Sequence, residues 1–243
     1  MTVHLVGAGP GDPGLITVRG LDLLRQADAV VYDELAAPEL LDEVPADALQ
    51  ISRAGMRQPQ IDELLVSLGR TFETVVRLKG GDPFLFGRGR EEVDALAAAG
   101  VDYEVVPGVS ALTAVPAAAG IPLTHRGLSA QVTVITARSA ADDDLDFDSL
   151  AAAPGTLVIF MGVARLGELV EALVAAGKDP ATPAAVVSNG TTDRELTVAG
   201  RLDEIGELAA GLPSPALTVI GPTAAFAATV TEPIYAAVTT RPS

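Results

Sequence analysis

The sequence predicts an α/β chain built of two α/β domains, and three observations lead there. From Val3 to Gly120, short apolar runs end in loops marked by glycine or proline and give way to segments with helical spacing. That alternation belongs to a parallel or mostly parallel sheet with helices on its faces. Ile121-Pro122-Leu123-Thr124-His125-Arg126-Gly127 then interrupts it and suits a linker, which sets the expected domains at residues 1–121 and 122–243. Beyond the linker, runs alternating in Thr and Val point to a sheet of more mixed or antiparallel character.

The elements follow in order. Val3-His4-Leu5-Val6 is a short apolar strand, and after Gly7 to Gly14 a helix is expected with apolar residues at Leu15, Val18, Leu21, Leu23 and Leu24. Gly7-Ala8-Gly9 invites a dinucleotide fingerprint. Pro10, Asp12 and Pro13 obstruct the helix start that would face a pyrophosphate, and Gly14 falls one residue late, so that reading is weak. Ala29 to Tyr32 and Leu49 to Ile51 read as strands, Pro59 to Leu68 as a helix, Thr74 to Leu78 as a strand and Glu91 to Ala98 as a helix. Tyr103 to Val106 is a strand, and Pro107 to Ala111 turns into an apolar helix ending near Gly120. In the second half, strands are expected at Gln131 to Thr136, Thr156 to Gly162, Ala184 to Val187, Glu195 to Val198 and Ala216 to Gly221, with a helix from Leu166 to Ala176. The acidic stretch Ala140 to Asp148 reads as an exposed loop without a site role. No repeat of fixed period is visible.

Composition bounds the chemistry. The 243 residues contain no cysteine, which excludes disulfides, thiolate zinc sites and cysteine nucleophiles, and two histidines leave little for a metal site, so no metal is expected. The formal net charge of −16, from 16 basic and 32 acidic residues, repels nucleic acid and anionic membranes. No apolar run approaches the roughly 20 residues that cross a bilayer, and a cytoplasmic protein is expected. Lys79 and Lys178 are the only lysines. An acidic, lysine-poor surface fits adaptation to high salt, where screening acts over about 3 Å at 1 M.

Site candidates gather at strand exits. Val76 to Gly89 carries Lys79-Gly80-Gly81-Asp82-Pro83 between a strand and a helix, a crossing point of the kind where ligands settle in open α/β sheets. Adjacent glycines let the backbone approach a ligand and Asp82 adds a charged acceptor, although a tight βα turn with no ligand accounts for the motif equally well. Asp33 leaves the second strand either as a site carboxylate or as a helix cap before Pro38, and spacing alone does not separate the two. Arg53 and Arg57 suit carboxylate binding or plain solvation.

The same residues, taken together, closely resemble the tetrapyrrole methylase family. Gly7 to Gly14, Val31-Tyr32-Asp33, Arg77 to Pro83, Phe86-Gly87-Arg88-Gly89, Pro107 to Ala111, Gly120 to Gly127, Phe160-Met161-Gly162 and Asn189-Gly190-Thr191 stand in family order and spacing over nearly the whole chain. The Leu-Thr-His-Arg and Gly-Arg-Gly segments favour the branch of uroporphyrinogen-III C-methyltransferases. That resemblance implies S-adenosylmethionine held in a cleft between two α/β domains, with S-adenosylhomocysteine as by-product. It implies two successive methylations of ring carbons of uroporphyrinogen III, giving precorrin-2 for siroheme or cobalamin synthesis. It also implies a homodimer.

Carried over by position, the donor would touch Pro10, Gly80, Gly81, Asp82, Leu85, Ser110, Ala111, Met161, Gly190 and Ala216. The first domain would form the substrate side; Met161 and Ala216 would serve the adenosine end. Met161 on its own reads as a filler of core gaps. Asp33 matches the family's proton acceptor. Arg88 and Glu91 join it as catalytic candidates, although Glu91 fits equally a first-turn acid favoured by the helix dipole. Arg53, Arg88 and Arg126, with Arg57 as a fourth candidate, would hold the carboxylates of the substrate. Departures stand at Ser52, where some members have a proton-donating lysine, at Ala137-Arg138 and at Ala130-Gln131; Arg53 is the candidate for the lysine's electrostatic part. Three other readings remain: another tetrapyrrole (cobalt-precorrin) methyltransferase, a non-catalytic tetrapyrrole-binding homologue, and a nicotinamide oxidoreductase.

Overall fold

The computed structural model describes residues 1–138 and 145–229, and the chain divides into two units, Met1–Ala111 and Leu112–Ser243. The first unit is a five-stranded sheet in the order β3-β2-β4-β1-β5, formed by β1 (Thr2–Gly7), β2 (Ala29–Tyr32), β3 (Leu49–Ser52), β4 (Thr74–Lys79) and β5 (Asp102–Val106). Every pairing in it is parallel. Helices α1 (Val18–Leu24), α2 (Gln58–Gly69) and α3 (Gly89–Ala98) make the crossovers.

Side chains alternate across the sheet, so each strand feeds two cores. Val3, Leu5, Ala29, Val31 and Val75 pack against Ile61 and Leu65 of α2 and Val93 and Leu96 of α3. Val6, Val30, Val76 and Leu78 pack against Leu24 of α1 and Leu40 on the other side. Burying each of the valine, leucine and isoleucine side chains stabilises the fold by about 1.5–3 kcal/mol. The same period of two puts Arg77 on the Val75 face, toward α3.

In the second unit, α4 (Ala111–Ala118) leads to a sheet in the order β6-β7-β10-β8-β9. Its strands are β6 (Val132–Thr136), β7 (Thr156–Phe160), β8 (Pro183–Ser188), β9 (Leu196–Arg201) and β10 (Ala216–Ile220). Only β6 and β7 pair in parallel; the remaining pairs are antiparallel, the mixed character read from the Thr and Val alternation. Helices α5 (Phe147–Ala152), α6 (Leu166–Ala175) and α7 (Leu202–Leu208) complete the unit. Leu157, Ile159, Val186 and Ile220 of the sheet meet Leu169 and Leu173 of α6 and Leu202 and Ile205 of α7 in one core.

The structure departs from the sequence reading in four places. The division falls at the first residue of α4 and not after Ile121, because α4 packs within the second unit: a Cβ on Gly190 would stand 2.5 Å from Val115 Cγ1. Helix α1 starts at Val18 and not near Leu15, since Pro13–Leu15 forms a 3-10 turn and the Thr17 hydroxyl caps the helix by accepting the Gly20 N–H; Val18 faces solvent. Helix α7 was not anticipated, although Leu202 and Ile205 show helical spacing. Of the acidic stretch expected as a loop, residues 140–144 lie outside the described residues, while Phe147 and Asp148 open α5 behind the capping side chain of Asp146. Among the described residues no helix is long and apolar enough to cross a membrane.

Candidate functional site

Because the first sheet is parallel, all its strands exit at one edge. The chain runs from β1 outward through β2 and β3, returns to β4 between β2 and β1, and continues to β5 on the far side, so the switch point lies between β1 and β4. There the loops Gly7 to Gly11 and Gly80 to Asp82 meet. The Gly81 N–H donates to the Gly9 carbonyl at 2.7 Å and the Gly9 N–H returns to the Gly81 carbonyl at 3.3 Å. A Cβ on Gly7 would stand 2.4 Å from Gly108 Cα and 2.6 Å from the Gly81 oxygen, so three loops touch backbone to backbone. These glycines therefore serve loop packing as well as any ligand.

Asp82 is committed in the same way. Its Oδ1 accepts the Phe84 N–H at 2.9 Å and its Oδ2 accepts the Gly108 N–H at 3.0 Å, which ties the exit of β4 to the turn after β5. Pro10, Gly80, Gly81 and Asp82, half-buried Leu85, and Ser110 belong to loops at this edge, and Ala111 opens α4 directly after them.

Asp33 shares the edge, and its setting separates the two readings left open by spacing. The 3-10 stretch Pro38–Glu43 has Ala37 at its start and no side-chain cap, so Asp33 is not a helix cap. Its Oδ1 instead accepts from Arg77 Nη2 at 2.6 Å, with Arg53 Nε at 3.8 Å. Arg77 is fully buried: its Nε donates to Glu92 Oε1 at 3.1 Å, and its Nη1 donates to the Leu78 carbonyl at 3.1 Å and the Val31 carbonyl at 3.4 Å. Lys79 Nζ donates to the same Glu92 Oε1 at 2.9 Å, while Glu92 Oε2 has no partner. Burial, and then the Arg77 guanidinium, push the Lys79 ammonium below its usual range against the pull of Glu92.

Sequence reasoning missed this charged cluster. A signal was present: Arg77 and Lys79 interrupt an otherwise apolar strand that a parallel sheet must bury, and buried charges require partners. Glu92, one residue past the singled-out Glu91, is that partner.

Nearer solvent, Arg88 opens α3 in the left-handed region at φ 57°, and its Nε and Nη2 grip both carboxyl oxygens of Glu91, the first at 2.9 Å. The hydrogen bond from Arg88 holds Glu91 below the usual carboxylate range. Glu91 is thus the guanidinium's partner and more than a first-turn acid. The Ser52 hydroxyl accepts the Ala54 N–H at 3.2 Å, and the Arg57 N–H donates to Gln60 Oε1 at 2.9 Å at the start of α2.

In the second unit three of the inferred residues converge. Phe160 pairs with Leu217 and Ala216 with Ser188, so the exits of β7 and β8 and the start of the antiparallel β10 lie side by side. Met161, Gly190 and Ala216 stand at that edge. Met161 is 44% exposed and left-handed at φ 55°, so it fills no core gap. Arg126 does not join them. It sits in the exposed turn His125 to Ser129, and Ser129 Oγ contacts Thr156 Oγ1 at 2.8 Å at the beginning of β7, the opposite edge.

Strained backbone marks both edges. Among the described residues the non-glycine positions with positive φ are Phe86, Arg88, Met161, Asn189 and Thr191, all within segments singled out from the sequence. Such conformations persist only where the surroundings impose them, and they cluster at functional sites.

Comparison with known proteins identifies the family. The family model for tetrapyrrole (corrin/porphyrin) methylases matches residues 2–206. Siroheme synthase 1 of Yersinia enterocolitica is 49% identical over 226 residues, covering 90% of this chain and 48% of that protein. The chain spans about half the length of the curated relatives it matches. Among solved structures, uroporphyrin-III C-methyl transferase from Thermus thermophilus complexed with S-adenyl homocysteine matches with a TM-score of 0.82 at 39% identity, covering 92% of this chain and 98% of that one. A cobalt precorrin-4 methyltransferase matches with a TM-score of 0.83 at 30% identity, covering 90% and 94%. By sequence, by fold and by the placing of its glycine loops, this chain belongs to the tetrapyrrole (corrin/porphyrin) methylase family.

Proposed function

We propose that this chain transfers methyl groups from S-adenosylmethionine to two ring carbons of uroporphyrinogen III, giving precorrin-2, and that Asp33 accepts the proton that the cationic macrocycle loses after each methyl transfer. The observation that carries the reading is the carboxylate of Asp33, fixed by fully buried Arg77 at the sheet edge where the Gly80-Gly81 loop lies. With Oδ1 engaged by Arg77, Oδ2 is the oxygen left to take a proton.

The residues present fit the methyl donor. In the first unit Gly80 and Gly81 bring backbone without side chains of their own, with Pro10, Asp82, Leu85, Ser110 and Ala111 beside them; in the second, exposed Met161 with Gly190 and Ala216 offers an apolar edge for the adenosine end. S-adenosylmethionine, when bound, supplies a methyl already activated on a sulfonium. The chain's own task is then orientation, because placing two reactants in line removes much of a bimolecular barrier.

On a protein of net charge −16, a substrate rich in carboxylates needs local positive ground. Arg88 and Arg53 supply it at the first edge and Arg126 is the third candidate. Glu91 holds the Arg88 fork in a fixed plane. Arg53, 3.8 Å from Asp33, stands beside the proton acceptor and takes over the electrostatic part left vacant by Ser52. Homodimeric assembly completes the reading and is checked by light scattering.

The test is anaerobic incubation with fresh uroporphyrinogen III and S-adenosylmethionine, followed by the red fluorescence of the oxidised bis-methylated product. Two methyl equivalents per macrocycle are expected. Binding of both ligands without transfer would make the chain a non-catalytic tetrapyrrole-binding homologue.

A further inference from the structure

The turn around Gly190 holds a backbone form that its neighbours seldom adopt. Asn189, at φ 48°, and Thr191, at φ 71°, flank the glycine in the left-handed region. For β-branched threonine this is a steric outlier, and it persists only if other contacts impose it. Gly190 itself has no room for a side chain, since a Cβ there would meet Val115 Cγ1 at 2.5 Å.

Hydrogen bonds hold the turn, the Thr192 N–H to the Asn189 carbonyl at 3.2 Å among them. The Asn189 N–H donates to the Pro215 carbonyl at 2.8 Å, next to Ala216. The Thr192 hydroxyl donates to the Asn189 carbonyl at 2.7 Å. The Thr191 N–H donates to Glu195 Oε2 at 2.8 Å. The last contact needs a side chain in an unfavourable place: Glu195 is half-buried, and burial pushes its carboxyl above the usual range. The half-buried carboxylate thus sits on the amide of the most strained residue of the turn, and removing it would leave that amide without this acceptor.

The geometry points to Glu195 as a positioning residue for the adenosine end of the methyl-donor site: by accepting the Thr191 N–H it holds Thr191 left-handed and so sets the Gly190 backbone beside Ala216. The inference rests on the reading that Gly190 touches the donor. Glu195 acts through the turn and does not reach the reacting atoms. Its work is done by acceptor geometry, and the charge is incidental.

The experiment uses the full chain with Glu195→Ala and Glu195→Gln. Binding of S-adenosylhomocysteine is measured by calorimetry, and amide hydrogen exchange is read at Thr191 without ligand. Glu195→Ala is expected to weaken S-adenosylhomocysteine about tenfold, the scale of one lost hydrogen bond, and to speed Thr191 exchange. Glu195→Gln keeps an acceptor and is expected to stay within about twofold of wild type in both readouts. Glu195→Ala matching wild type in affinity would overturn the positioning role, and equal loss in both variants would overturn the acceptor argument. Failure of the wild-type chain to bind S-adenosylhomocysteine would overturn the underlying functional reading, and this inference with it.

Discussion

Arg77 Nη2 stands 2.6 Å from Asp33 Oδ1, which joins the interior of β4 to the exit of β2. One fully buried guanidinium thereby connects the hidden pair Glu92 and Lys79 to a carboxylate at the sheet edge. Removing either end has a different consequence. Arg77→Leu strips donors from Asp33 and leaves Glu92 with Lys79 alone, and breaking a buried pair of this kind costs about 3–5 kcal/mol. A matching drop in the urea midpoint is expected.

Asp33→Asn keeps the acceptor oxygen for Arg77 and removes the proposed proton acceptor. Its urea midpoint is expected to stay close to wild type and S-adenosylhomocysteine binding to persist, while single-turnover methyl transfer falls by about 10²–10⁴. Wild-type turnover in this variant would remove Asp33 from the mechanism.

Arg88 is exposed and held by Glu91, so the pair adds little to stability. Arg88→Ala is expected to raise the KM for uroporphyrinogen III by tenfold or more, on the order of 1.4 kcal/mol of lost binding, and to leave the affinity for S-adenosylhomocysteine unchanged. Parallel loss of both affinities would mean that the arginine shapes the loop and does not hold substrate.

The glycines divide by what surrounds them. Gly7→Ala would drive a methyl to 2.4 Å from Gly108 Cα, backbone against backbone, with no flexible neighbour to give way. Gly55 has φ 75° and nothing within 4 Å of an added Cβ. Thermal unfolding is expected to show Gly55→Ala destabilised by only about 1–2 kcal/mol of left-handed strain, while Gly7→Ala loses considerably more or does not accumulate as folded protein.

Glu195 gives a pH signature. Its folded pKa is raised, so between the ordinary glutamate value and that raised value the folded state binds more protons than the unfolded one, and its contribution to stability is lost as pH rises. Glu195→Gln removes the dependence. Urea titrations are expected to find the variant more stable than wild type at pH 7, with the gap closing as pH falls toward the ordinary glutamate range. A gap that widened toward acid would contradict the burial argument.

The sequence by itself determined the order of elements, the parallel character of the first half, the mixed sheet of the second and the glycine-marked loops at the strand exits. It could do so because hydrophobic period, glycine and proline are local properties, legible in Ala29 to Tyr32 or Asn189-Gly190-Thr191 without knowing what lies opposite. Tertiary structure alone decided what those residues face. It turned Asp33 from a possible helix cap into the partner of Arg77, spent both oxygens of Asp82 on backbone amides, and placed Arg126 at the edge of its sheet away from Met161. It also brought Glu92, 15 positions after Arg77 in the chain, beneath both buried cations. Such pairings depend on which strands lie side by side and which helix crosses them, and no hydrophobic period along the chain matches one partner to the other.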